Sequence, residues 1–150
     1  MVKNVLNTLR KKQKNNKGFS LVELIVVIAI MAVLVGVLAP QLIKYVEKSR
    51  ESTDIQNADT VVTAFRTYAA ENDVSGTLTV TLSKENAPTP TDNSNEKKAL
   101  TEAKLTTIKL KGTWKAGITV TYNIDTGDVT YNGEGKYYKA ENAADFTKIN

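Results

Sequence analysis

Cysteine and histidine are both absent from this chain of 150 residues. Without cysteine the chain has no disulfide bond and no thiol nucleophile, and without histidine it has no imidazole acid–base chemistry. Zinc sites built on either residue are excluded as well. Most common catalytic centres are therefore ruled out, and we expect no catalytic residue, no bound metal and no cofactor.

Acidic side chains are missing from residues 1–18, a basic leader with six cations: Lys3, Arg10, Lys11, Lys12, Lys14 and Lys17. The whole chain has a net charge of +4, but without the leader 14 basic and 16 acidic residues remain and the net charge becomes −2. The basic character therefore belongs to the leader and does not indicate nucleic-acid binding.

A long apolar run follows the leader. Residues 24–43 contain no charged side chain, and Gln41 is the only polar one. As a helix rising ~1.5 Å per residue, this run covers ~30 Å, the thickness of the hydrocarbon core of a bilayer. We predict that residues 19–43 form a transmembrane helix, and the positive-inside rule places the N-terminus in the cytoplasm.

A cleaved secretory signal is the alternative interpretation of a basic segment before an apolar run. The run is longer than a signal core of roughly 7 to 15 residues. The small residue at a tolerable cleavage site, Ala39, is followed by Pro40, which removes the backbone N–H and the flexibility that a protease needs. Both observations favour a retained membrane span.

Helical periodicity continues beyond the span. Apolar residues recur at spacings of three, four, three and four, which draws one stripe along a helix: Ile55, Ala58, Val62, Phe65 and Ala69. No glycine or proline interrupts the chain from Gln41 to Asp73. We predict one helix from about Phe19 to about Asn72, whose second part, residues 44–73, is amphipathic.

Residues 74–150, the head, have the alternation typical of strands. Leu78, Val80 and Leu82 alternate with threonines, Ile108 alternates with Leu110, and residues 118–124 and 129–131 flank a turn at 125–128. We predict a loop over 84–95, a short helix over about 95–103 capped by Ser94 or Asn95, and an edge strand at 135–139, with no structure assigned to 140–150. The fold class is α+β, a long helix against an antiparallel sheet of three to five strands.

Three residues at the start of the span are candidate functional residues: Gly18, Phe19 and Glu23. The peptide bond after Gly18 can be held extended in a narrow active site, and its cleavage would expose the amine of Phe19. Glu23 lies just inside the apolar run, at a cost of about 1 to 3 kcal/mol. An amine from a neighbouring chain would neutralise it and set the axial register between helices. Alternatively, Glu23 sits at headgroup level near the positive end of its own helix dipole.

Residues 17–24, Lys-Gly-Phe-Ser-Leu-Val-Glu-Leu, resemble the processing site of type IV pilins and the related pseudopilins, and the likeness continues to Pro40 and the turn after Asn72. It implies the type IV pilin fold and cleavage after Gly18 by prepilin peptidase. It also implies N-methylation of Phe19 and a role for Glu23, with Phe19, in assembly.

The resemblance implies a precursor anchored by one span in the cytoplasmic membrane, and then an extracellular filament of identical subunits. The further partners would be an assembly platform protein and its ATPase machinery. The filament would serve adhesion, surface motility or DNA uptake, with external surfaces or DNA as its contacts. Pro40 corresponds to the family's helix-bending proline, and a kink near Gly36 would serve either packing or filament stretch.

Several alternatives stay open from the sequence. A pseudopilin of a type II secretion or competence apparatus shares the same N-terminal motif. Asp125 and Asp128 flank Gly127 in a tight turn that could hold a cation, although two carboxylates fall short of the six to eight oxygens of a calcium site, so a hairpin turn is favoured. An anchored enzyme or receptor is disfavoured because the head has no convergent cluster.

The aromatic residues of the head also have two interpretations. They could form a stacking surface for a ligand or nucleic acid, but their alternation within strands favours cross-strand packing: Trp114, Tyr122, Tyr131, Tyr137 and Tyr138.

Overall fold

The computed structural model describes residues 18–88, 90 and 94–149. The leader, apart from Gly18, and positions 89 and 91–93 of the predicted loop lie outside the described residues. The chain divides into two compact units between Leu42 and Ile43.

Helix α1 spans Leu21–Asn72 and includes Pro40. It starts two residues after the predicted start and ends where the sequence predicts. Asp73, the next residue, has a φ of 45°, the left-handed conformation that commonly terminates helices. Within the first unit the apolar side chains of α1 are exposed in the single chain.

The second unit contains a five-stranded antiparallel sheet in the order β1-β2-β3-β4-β5. Strand β1 spans Thr77–Leu82, β2 Ile118–Asn123, β3 Val129–Glu134, β4 Tyr138–Ala143 and β5 Thr147–Lys148. Val80 pairs with Val120, and Val120 pairs with Tyr131. The α+β class, the first strand and the central hairpin are thereby confirmed.

Two parts of the predicted sheet were wrong. No strand forms at Ile108 and Leu110; instead the buried Leu110 donates its N–H to the Ser83 carbonyl at 3.0 Å, because two alternating residues make too short a run to pair alone. The tail is more ordered than its polarity suggested, since β4 continues to Ala143 and is followed by β5. Edge strands have little apolar surface to bury and therefore resemble loops in sequence.

Helix α2 spans Asn95–Glu102, and its N-cap is Ser94, whose hydroxyl accepts the Lys97 N–H at 3.2 Å. This hydrogen bond satisfies one of the free N–H groups of the first turn. The structure thereby decides between the two predicted caps in favour of Ser94.

The core lies between α1 and one face of the sheet. Of the predicted stripe, Ala58, Val62 and Phe65 are buried, while Ile55 and Ala69 are half-buried. Helix α1 also buries Val61, Ala64 and Tyr68, and the sheet contributes five aliphatic residues: Leu78, Val80, Leu82, Ile118 and Val120.

Two carboxylates extend the buried face of α1 beyond its apolar residues. Asp54 is fully buried and accepts hydrogen bonds from the N–H of Lys111 at 2.8 Å, the N–H of Gly112 at 2.7 Å and the indole N–H of Trp114 at 2.9 Å. Donors of this kind are needed because an unpaired buried charge is strongly unfavourable. Asp54 therefore holds the 111–114 segment against the helix.

Glu51, one turn earlier and also fully buried, accepts the N–H groups of three successive residues, Lys136, Tyr137 and Tyr138, at 2.7, 2.8 and 3.2 Å. Successive amides of this kind form a concave anion site. A Cβ on Gly135 would come within 2.7 Å of the Glu51 carboxylate. The neighbouring glycine thus leaves room for the carboxylate to reach the three amides.

We expect Asp54→Asn to destabilise the head by about 2–4 kcal/mol, because the amide nitrogen of asparagine would face N–H donors that the carboxylate now satisfies. Urea unfolding of the chain in mild detergent, followed by the fluorescence of Trp114, measures the change. Glu85→Gln, at an exposed position, is the matched control and should be neutral. Equal stability of the two variants would contradict the anchoring role.

A further hydrogen bond connects the sheet with helix α1: the Tyr131 hydroxyl donates to the Asp59 carboxylate at 2.6 Å. Tyr131 is buried and packs against Phe146. Burial first, and then the bond to the Asp59 carboxylate, raise the pKa of Tyr131 above its ordinary value. The neutral phenol is therefore the form that the fold stabilises.

The pH dependence of stability follows from this raised pKa. The contribution of Tyr131 is complete below the unfolded pKa of about 10 and is lost as the pH rises from there toward the folded value. We expect Tyr131→Phe to lower stability by about 1–2 kcal/mol at pH 7, and to lose less stability than the wild type between pH 9 and 11. Unfolding free energies measured at several pH values test this. Parallel pH profiles of the two proteins would show that the bond to Asp59 contributes nothing.

Candidate processing and assembly site

Gly18, Phe19 and Ser20 precede α1 and are not helical. Phe19 is 92% exposed, and a Cβ built on Gly18 would meet nothing within 4 Å. A protease must bind its substrate as an accessible, non-helical segment. Among the described residues, nothing covers the bond between Gly18 and Phe19; cleavage at this position remains a prediction.

The first turn of α1 is closed by a capping box between Ser20 and Glu23. The Glu23 Oε2 accepts the Ser20 N–H at 2.8 Å, and the Ser20 hydroxyl accepts the Val22 N–H at 3.3 Å. The Ser20 carbonyl accepts the first helical bond, from the Leu24 N–H at 3.1 Å. The pattern Ser-x-x-Glu before an apolar run is the sequence signature of this motif. The capping box was therefore visible in the sequence, but we did not predict it.

The capping box changes how Glu23 must be interpreted. Its carboxylate has a partner in its own chain, which supports the alternative that Glu23 stabilises the start of its own helix. Only Oε2 is engaged; among the described residues Oε1 accepts no hydrogen bond. The second oxygen can therefore accept a donor from outside the chain.

Beyond Glu23 the helix presents large apolar side chains on every side. Exposed fractions run from 61% at Leu24 to 47% at Val27 and 69% at Ile43. Within the described part of the chain, this is the one helix that is long and apolar enough to cross a membrane. We call residues 24–43 the apolar belt.

The helix continues through Pro40 without a break. Proline has no N–H, so the carbonyl of Gly36, four residues earlier, lacks its usual helical donor. A Cβ on Gly36 would meet nothing within 4 Å, so crowding within the chain does not account for this glycine. The kink near Gly36 remains a prediction.

The turn at 125–128 is built as a hairpin turn. One Asp125 oxygen accepts the Gly76 N–H at 3.2 Å, and one Asp128 oxygen accepts the Thr126 hydroxyl at 2.7 Å. Asp128 thus stabilises the turn itself, whereas Asp125 ties the turn to the chain just before β1. Over the ranges that the structure describes, no group of three or more acidic residues could hold a metal ion.

The aromatic residues of the head mainly pack within it. Tyr122 and Tyr131 are buried, and Trp114 contacts Phe146 edge to face, with ring centroids 5.6 Å apart. Tyr137 and Tyr138 are half-buried. The arrangement supports the packing interpretation, because the rings do not form one open surface for stacking.

The candidate site lies within a segment that matches a known protein motif. The family described as "Prokaryotic N-terminal methylation motif" matches residues 13–39, which include Gly18, Phe19 and Glu23. The "Type IV major pilin protein PilA" of Myxococcus xanthus (strain DK1622) is 34% identical over 58 residues, which is 39% of this chain and 26% of that protein. The match thus spans about a quarter of the relative's length. No solved structure matches the chain.

The three findings agree with one another. The motif covers the segment that carries Gly18, the exposed Phe19 and the capping glutamate, Glu23. The relative is a major pilin, and the fold is a long N-terminal apolar helix with a small antiparallel sheet. Over its N-terminal part the chain is thus similar to proteins with the N-terminal methylation motif and to a type IV major pilin.

Proposed function

We propose that the chain is a structural subunit of a type IV pilus. In this proposal prepilin peptidase cleaves the precursor between Gly18 and Phe19, the new amine of Phe19 is methylated, and the mature subunits polymerise through their N-terminal helices. The observation that carries the proposal is the apolar belt, which directly follows an exposed Gly–Phe bond and a carboxylate.

The apolar belt has to be covered in every state of the protein. Apolar surface left in water costs about 25 cal/mol for each Å², and the belt presents large side chains on all sides. Lipid covers it in the precursor, whose basic leader lies in the cytoplasm. In a filament the belts of neighbouring copies cover one another. A subunit that moves from lipid into a filament without entering water therefore keeps this surface buried throughout.

The partners of the proposal follow from that transfer. Subunits must leave the membrane one at a time, and we propose that an assembly platform protein guides them and an ATPase supplies the work. The heads face outward and contact surfaces or DNA in adhesion, surface motility or DNA uptake.

Cleavage after Gly18 changes the electrostatics of the site. It removes the leader and its six cations and leaves one amine, four residues before Glu23. We propose that the amine of one subunit binds the unused Oε1 of Glu23 in its neighbour, while Oε2 keeps the bond to Ser20. The ion pair is strong because it lies in a medium of low dielectric constant, and it sets the axial register between subunits.

A pseudopilin of a type II secretion or competence apparatus is the second candidate, since it shares the motif. One observation favours the pilus: the matched relative is a major pilin.

Cleavage is tested at Gly18. We expect its replacement by alanine to slow processing and its replacement by a bulky residue such as leucine to leave uncleaved precursor in the membrane, because the larger side chain no longer fits a narrow active site. Mass spectrometry of membrane and surface fractions distinguishes precursor from protein that starts at methylated Phe19. Gly36→Ala, in the same apolar helix, is the control and should be processed normally. Normal maturation with leucine at position 18 would remove the peptidase from the proposal.

Glu23 allows its two roles to be separated. Glu23→Gln keeps an oxygen for the capping box but removes the charge, whereas Glu23→Val removes both. If the charge pair drives assembly, both variants are processed but yield at least about tenfold fewer filaments, a loss of roughly 1.4 kcal/mol for each subunit added. Electron microscopy and immunoblots of sheared filaments measure the yield. Wild-type filament levels from Glu23→Gln would leave helix capping as the only role of this residue.

A further inference from the structure

A groove of about 310 Å³ lies between the C-terminal part of α1 and helix α2. Helix α1 supplies Thr60, Thr63, Ala64 and Thr67, and the other wall includes Ala99 and Ala103. These side chains are small, and the larger Tyr68 and Leu105 also line the groove, so a bulky side chain from outside can approach both helices between them.

The threonines line the groove with methyl groups. The hydroxyls of Thr60, Thr63 and Thr67 each bond to the carbonyl four residues earlier in α1, at 2.9, 3.0 and 3.0 Å. A hydroxyl held against its own helix turns the γ-methyl outward. The groove is therefore less polar than its threonine content suggests, and it favours an apolar or aromatic occupant.

Two carboxylates, Glu71 and Glu102, belong to the lining of the groove. Neither forms an ion pair with another described residue. An occupant with an aromatic side chain between cations would thus match the groove in both polarity and charge.

The same chain presents such a segment. Tyr45 is 70% exposed and lies between Lys44 and Lys48, which are also exposed. The two lysines are four residues apart and so lie on one side of α1, and neither pairs with an acid among the described residues.

This segment cannot reach the groove of its own chain. From Tyr45 to Thr63 there are eighteen residues of one continuous helix, or about 27 Å at 1.5 Å per residue. Only another copy can bring the two together, and parallel helices staggered by about that distance would do so.

We propose that the groove binds Tyr45 of a second copy of this chain, with Lys44 and Lys48 of that copy against Glu71 and Glu102. The inference rests on the proposed function, because a filament is what stacks the helices in parallel. It adds a second register-setting contact, outside the apolar belt, to the ion pair at Glu23. The contact would exclude pairings in which the helices are staggered by a different distance.

The absence of cysteine from the chain allows a clean test. Tyr45→Cys combined with Thr63→Cys introduces the only two thiols, and a disulfide requires Cα atoms less than about 7 Å apart. The bond can therefore form only between copies. Oxidation of sheared filaments should yield a ladder of dimers, trimers and longer species on a non-reducing gel. Tyr45→Cys with Thr81→Cys, on the far face of the sheet, is the control and should yield monomer.

A second experiment reverses the charges of the acidic and basic side chains at the proposed contact. In the Tyr45→Cys/Thr63→Cys background, Glu71→Lys with Glu102→Lys should lower the cross-linked fraction about fivefold, and adding Lys44→Glu with Lys48→Glu should restore it. The restoration separates loss of the contact from misfolding of the head.

The outcomes distinguish this inference from the proposed function. Filaments that form but give no ladder, or give one equally with Thr81→Cys, overturn the inference and leave the proposed function standing. Cross-links to a different protein instead of to a second copy also overturn it. A wild-type chain that is processed but never yields filaments overturns both.

Discussion

The head of this protein depends on two carboxylates that the long helix buries at the edge of its apolar face. Six N–H groups converge on Glu51 and Asp54, five from the backbone and one from Trp114. All six donors are neutral, so the negative charges are stabilised by oriented dipoles and not by cations. The two segments they hold flank the sheet, which is how a head without a disulfide keeps its irregular segments in place.

The two parts of helix α1 have different surroundings. Its first part presents mainly large apolar side chains that the single chain leaves exposed, whereas its second part buries one face against the sheet. Glu23 stands at the start of the first part, where the capping box gives it a partner before any neighbour arrives. This bond gives the carboxylate at the start of an apolar helix a partner in its own chain, the Ser20 N–H, while Oε1 accepts no hydrogen bond from the described residues.

The threonines on α1 show how composition can mislead about surface chemistry. Thr60, Thr63 and Thr67 suggest a polar, solvated helix face, yet their hydroxyls are satisfied by the carbonyls of the preceding turn. What remains on the outside is largely methyl surface beside two acidic side chains.

The sequence by itself determined the features that depend on neighbours along the chain: the apolar segment, the long helix to Asn72, the hairpin at 118–134 and the N-terminal motif. Each has a local signal, such as an apolar run, a 3.6-residue period, a turn between alternating residues or a Gly-Phe pair before the apolar run. Only the tertiary structure decided that Glu51 and Asp54 are buried, since their hydrogen-bond donors lie 57 to 87 residues away. It also decided that the polar tail forms β4 and β5, because these strands depend on pairing with their neighbours and not on apolar residues of their own.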